Sequence, residues 1–97
     1  MEKLTRKQVE ELKAKHGEIF EVKIEDKICY LKKPTRKVLS AAATVGQKDP
    51  LKYNEIILTN CWITGDEEIK TDDALFLGVS GVLSEIIEIK EATLKKL

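Results

Sequence analysis

The run from Thr71 to Leu97 constrains the fold most, because its apolar residues recur at helical spacing over more than twenty positions. At 100° per residue, Leu75, Phe76, Val79, Val82, Leu83, Ile86, Ile87, Ile89 and Leu94 fall within roughly 160° of arc. A helix packed on a single neighbour needs only about 100°, so such a helix must be covered from two sides. Thr71 supplies an N-cap, Asp72 and Asp73 place negative charge in the first turn, and Lys95 and Lys96 place positive charge in the last. The spacing therefore predicts one long helix over about 72–95. Lys90 falls inside the apolar arc, where burying an ammonium is costly, so the packed part should end near Ile89 and the rest project.

The remaining elements follow in order. Thr5 and Gln8 have the spacing of a capping box, and a helix runs from there to Gly17. Leu4, Val9, Leu12 and Ala14 give it little to bury, which makes residues 1–16 a loosely held arm on a single domain spanning 1–97. His16 at its end suits the helix dipole. From about 18 to 33 the apolar period changes to two, with Phe20, Val22 and Ile24, then Ile28, Cys29, Tyr30 and Leu31, which is a β-hairpin. A three-residue turn is expected to pair Ile24 with Ile28 and Val22 with Tyr30, and a two-residue turn Ile24 with Cys29 and Val22 with Leu31. The first is preferred. Because a lone hairpin is marginal in water, it must pack on helices or gain strands through its edges.

Thr35 after Pro34 caps a helix over about 35–45, where Ala41 to Ala43 allow close approach of a neighbour. Asp49 and Pro50 open another over about 50–61, carrying Leu51, Tyr53, Ile56, Ile57 and Leu58. Trp62 and Ile63 lead into an acidic, turn-like loop, Thr64 to Glu68, which lacks the alternating ligands of a calcium loop. The fold class is α+β.

Composition narrows function by exclusion. Seventeen basic residues balance seventeen acidic ones, leaving no field to draw in nucleic acid, and the second of the two central helices offers only Lys52 as a base. No apolar run approaches the ~18 residues of a membrane span, and the N-terminal residues lack the pattern of a signal peptide. Cys29 and Cys61 have no metal or redox spacing and read as reduced, half-buried small hydrophobes. With one histidine, no nucleophile motif and no phosphate loop, no catalytic, metal or cofactor site is expected. Candidate protein-binding residues lie on the terminal helix and beside it. Gly78 and Gly81 sit with Leu77 and Ser84 off the apolar arc, as a second contact face. Lys90, Leu94 and Leu97 lie on the projecting end, and Trp62 precedes the acidic loop.

One resemblance gives these features a setting. Tyr30-Leu31-Lys32-Lys33-Pro34-Thr35-Arg36, then Glu55-Ile56-Ile57-Leu58 with Cys61, and the Asp66 to Asp73 acidic loop ahead of a terminal helix resemble the small tail assembly chaperones of tailed phages and prophages. The likeness covers about two thirds of the chain and omits the N-terminal arm. It implies a non-enzymatic protein of the bacterial host cytoplasm that binds the tape measure protein and helps recruit tail tube subunits; the wide apolar stripe and the open strand edges, read by themselves, allow either a homo-oligomer or capture of a long helical partner along the terminal helix. A head-tail connector or completion protein is the nearest alternative, and a small nucleic-acid-binding regulator a more distant one.

Overall fold

A computed structural model describes all residues 1–97. The order is helix α1 (Arg6–His16), strands β1 (Ile19–Ile24) and β2 (Lys27–Lys32), helices α2 (Arg36–Gly46) and α3 (Pro50–Cys61), strand β3 (Trp62–Gly65), and short helices α4 (Glu68–Thr71) and α5 (Asp73–Ser80). A 3-10 turn, Leu83–Ile86, follows, and residues 87–97 carry no helix or strand. The class is α+β, built on one antiparallel sheet of order β1-β2-β3.

The local chemistry explains most boundaries. Thr5 and Gln8 form the reciprocal capping box of α1. The Thr35 hydroxyl accepts from Val38 N–H at 3.2 Å, and the Asp49 carboxylate accepts from Leu51 and Lys52 at the start of α3.

The hairpin takes neither expected register. Ile24 pairs with Lys27, Val22 with Cys29 and Phe20 with Leu31, around a two-residue turn. Glu25 adopts φ 53°, the left-handed backbone that lets a two-residue loop match the right-handed twist of the strands. The sequence shows no Asn-Gly or Asp-Gly there, so the usual signal of that turn is missing.

The acidic loop is a second departure. Trp62–Gly65 is a strand, pairing Cys29 with Gly65, Tyr30 with Thr64 and Leu31 with Trp62 across an irregularity at Tyr30/Leu31. Four residues with no clean alternation give no period to read. The strand makes β2 central, which is why Ile28, Cys29, Tyr30 and Leu31 are all buried on both faces. Cys29 and Leu31 face the main core with Ala42, Ile57, Leu58, Cys61, Ile69, Val79, Leu83 and Ile86. On the opposite face the N-terminal arm lies across Tyr30, whose Oη accepts from Leu4 N–H at 2.9 Å and donates to Glu21 at 3.0 Å. No residue of α1 is buried, so the arm is a lid rather than part of the core.

The long terminal helix expected over 72–95 is the main correction. Thr71 ends α4, Asp72 caps α5 by accepting from Leu75 N–H at 3.0 Å, and α5 stops at Ser80. Gly78 and Gly81 each cost about 1 kcal/mol relative to alanine, and Ser80 turns its hydroxyl back to the Phe76 carbonyl at 2.8 Å. Gly81 N–H then bonds to Gly78, tightening the last turn toward 3-10 geometry. Core packing survives the break: Val79, Leu83 and Ile86 keep their helical spacing and are each at most 4% exposed. It ends about one turn earlier than expected, since Ile89 is 85% exposed.

Candidate functional site

Two grooves and one segment hold most of the exposed large apolar side chains, Met1 and Val45 lying outside them. The first groove, about 460 Å³, runs along β1: Phe20, Glu21, Val22, Lys23 and Ile24 form one wall, and Gly78, Val79, Val82, Glu85 and Ile86 the other. Five consecutive residues of one strand on a single wall mean that the groove follows the strand's outer backbone edge. Gly78 sets its depth, since a Cβ there would run into Ile24 Cδ1.

The hydrogen-bonding phase of β1 follows from the turn. A two-residue loop closed by Ile24 and Lys27 makes that pair, and then Val22/Cys29 and Phe20/Leu31, the hydrogen-bonded ones. Ile28, in the alternate phase, accordingly bonds away from β1: its N–H donates to Asp66 Oδ2 and its carbonyl accepts from Asp66 N–H, both at 2.9 Å. By the same alternation, the N–H and C=O of Ile19, Glu21 and Lys23 point outward from the sheet, where no strand meets them.

The second groove, about 480 Å³, lies between α3 and α5, with Leu51, Lys52 and Glu55 facing Lys70, Phe76 and Leu77. Leu51 and Leu77 are each about half exposed, at 52% and 53%. Beyond Ile86, Ile87 is half-buried with its N–H on Ser84 O at 3.2 Å, and the next residue is tethered by an ion pair: Lys33 pairs with Glu88 and with Glu18, the latter at 2.6 Å. The two carboxylates raise the Lys33 pKa, Glu18 contributing most, and Lys33 in turn lowers that of Glu18. After this tether Ile89 is largely exposed and Leu94 and Leu97 wholly so.

These surfaces divide the sequence candidates. Leu77 lines the second groove and Gly78 the first, so they do not share the single face expected of them. Gly81 caps α5, and its added Cβ would meet only Gly78 O at 3.4 Å; Ser84 is exposed on the 3-10 turn. Lys90, Leu94 and Leu97 are exposed in the irregular segment. Trp62 sits apart, half-buried against the core, with Lys70 Nζ 4.4 Å from its ring centroid. Glu21 and Lys23, on the strand edge, and Leu51, in the second groove, are not among the residues the sequence pattern singles out. The alternation in Phe20–Ile24 was the available signal for the first two, but an edge strand is told from a central one only by its neighbours.

Chemically reactive groups do not converge. No group of three or more His, Cys, Asp or Glu side chains is placed to hold a metal ion. Cys29 and Cys61 are free thiols, 0% and 1% exposed rather than half-buried. Burial pushes the Cys29 thiol up to about 11 and raises that of Cys61. The Asp66 carboxylate, paired with the N-terminal ammonium and bonded to Ile28 N–H, is held below the usual carboxylate range. No helix is long and apolar enough to cross a membrane. Neither a family model, a curated protein nor a solved structure matches this chain.

Proposed function

We propose that this chain is a non-enzymatic, protein-binding chaperone of phage tail assembly, which acts in the bacterial host cytoplasm by binding the tape measure protein and helping to recruit tail tube subunits. The observation that carries the reading is the state of residues 87–97: their sequence encodes an amphipathic helix, yet in the free chain they leave Ile89, Leu94 and Leu97 in water. Wound as a helix, Ile86, Ile87, Ile89, Leu94 and Leu97 share an arc of roughly 160° that also holds the long stem of Lys90, with Glu88, Glu91 and Lys95 opposite. A segment of this kind folds on a partner that offers a matching apolar stripe, as a long helical protein does.

Magnitudes place this contact in the reversible range. Burying three large aliphatic side chains contributes about 6 kcal/mol, at ~2 kcal/mol each. Ordering some ten residues costs more than that, at about 1–2 kcal/mol each before helix hydrogen bonds offset it. The segment therefore needs a second contact, and the Leu51/Leu77 groove is the apolar surface that supplies one. A carrier that must hand its partner to tube subunits benefits from such weak, divided binding.

Co-expression with the tape measure and tail tube proteins of the same genome, followed by affinity purification and light scattering, tests the reading. A stable complex with the tape measure protein is expected. The double variant Ile89→Asp, Leu94→Asp should abolish it without changing the melting temperature, because both side chains are exposed in the free chain. Absence of any complex, or an unaffected one in the variant, refutes the proposal.

A further inference from the structure

The outer edge of β1 lacks most of the devices by which proteins blunt such edges. Ile19–Ile24 is six residues long, with no proline, glycine or bulge, and no helix or loop hydrogen-bonds to the outward groups of Ile19, Glu21 and Lys23. Phe20, Val22 and Ile24 remain half-buried beside an open groove. Lys23 alone resembles a protective charge, and Glu21 stands two residues away from it on the same face of the sheet.

We infer that this edge pairs with the same edge of a second copy of the chain, antiparallel about a two-fold axis at Val22. The phase of the strand permits only pairings in which outward-bonding residues meet, that is, Ile19, Glu21 and Lys23 with one another or with Glu25. Centred on Glu21 or on Lys23, the pairing sets like charges directly opposite each other, which is destabilising; centred on Phe20 or on Ile24, it runs past the strand's end, into residues 16–18 or into the Glu25–Asp26 turn. Centred on Val22, it sets Glu21 opposite Lys23 of the second copy and Lys23 opposite its Glu21. On the core-facing side it sets Phe20 opposite Ile24 and Val22 opposite Val22, so the apolar side chains of each copy fill the groove bounded by Gly78 and Val82 of the other. The two three-stranded sheets become one continuous sheet, and a two-fold interface of this kind is self-complementary and closed. This pairing stands independently of the assembly role proposed above.

Light scattering on the full chain tests it through charge reversal. At about 100 μM the wild type should show twice the 11.0 kDa chain mass. Lys23→Glu and Glu21→Lys each turn both cross-strand ion pairs into like-charge pairs, and should weaken association roughly thirtyfold. Mixing the two variants in equal amounts restores both attractions in a heterodimer, and the doubled mass should return. Because Glu21 also accepts from Tyr30, its variant is checked by circular dichroism; Lys23→Pro serves as a second probe, removing one outward N–H without touching a bond to β2. It too should be monomeric. A wild-type monomer at that concentration, a Lys23→Glu or Lys23→Pro variant as dimeric as the wild type, or no recovery on mixing folded variants overturns the pairing.

Discussion

Replacing Gly65 by alanine isolates the contact that turns a hairpin into a three-stranded sheet. A Cβ on Gly65 would lie 2.5 Å from Cys29 Cβ, 2.6 Å from Cys29 Cα and 2.7 Å from Ile28 O. Two of these atoms are backbone and the third is attached directly to it in a residue with no exposed surface, so no side-chain rotation relieves the overlap. To reach ordinary contact, β3 must move about 1 Å off β2. That displacement lengthens two bonds at once: Asp66 N–H to Ile28 O, and Ile28 N–H to the Asp66 carboxylate. The first contributes about 1 kcal/mol and the second, to a charged acceptor, about 2; residual overlap in a close-packed core adds about 1 more. A loss of about 4 kcal/mol lowers the melting temperature of a chain this size by roughly 15–30 °C. Gly17→Ala is the matched control, since Gly17 has φ 81° but nothing within 4 Å of its added Cβ. With ψ −143° Gly17 lies outside the left-handed helical region, so the change should cost only backbone strain, about 1–3 kcal/mol. Thermal denaturation followed by circular dichroism separates the two. A Gly65→Ala protein that melts alongside Gly17→Ala would refute the seating of β3 on β2.

Three further outcomes follow from the same structure. Glu25→Gly removes the left-handed strain at φ 53°, worth about 1–2 kcal/mol, against about 0.5–1 kcal/mol of added chain entropy, so a net gain of about 0.5 kcal/mol should appear in urea denaturation. Asp66 has a folded pKa below its unfolded one, so its contribution is complete above the ordinary carboxylate range and is lost as pH falls through the folded value; Asp66→Asn should flatten that part of the acid denaturation profile. Cys29 and Cys61, buried and with raised pKa values, should react with a thiol reagent at neutral pH only after denaturant opens the core, giving two thiols per chain.

Much of the fold is legible from local chemistry. Thr5 with Gln8, Thr35, and Asp49 with Pro50 mark the starts of three helices because caps act within four residues of where they are read. Less legible is what depends on distant partners. Ile69 is fully buried at the centre of the core, yet it is the one apolar residue in an acidic stretch, and only the closing of β3 onto β2 carries it inward. The terminal helix shows the opposite failure: the apolar period is real, as Val79, Leu83 and Ile86 demonstrate, but period reports which residues share a side, not whether the backbone between them stays helical. Gly78, Ser80 and Gly81 break it there, and the side chains beyond lose their cover. Of the candidate site, the exposed Leu77, Leu94 and Leu97 were readable from pattern; the open edge of β1 required knowing that β3, not another strand, flanks β2.

Amide hydrogen exchange across residues 87–97, with and without the tape measure protein, reads out whether this segment folds on that partner. In the free chain the Ile87 N–H closes the 3-10 turn onto Ser84 O, but the amides of residues 88–97 have no helix or sheet partners and should exchange at nearly the unprotected rate. In the complex, protection should appear from Glu88 through about Leu94 and should be absent in the Ile89→Asp, Leu94→Asp variant. Unchanged rapid exchange through this segment in a complex that nonetheless forms would rule out folding of residues 88–97 on the partner.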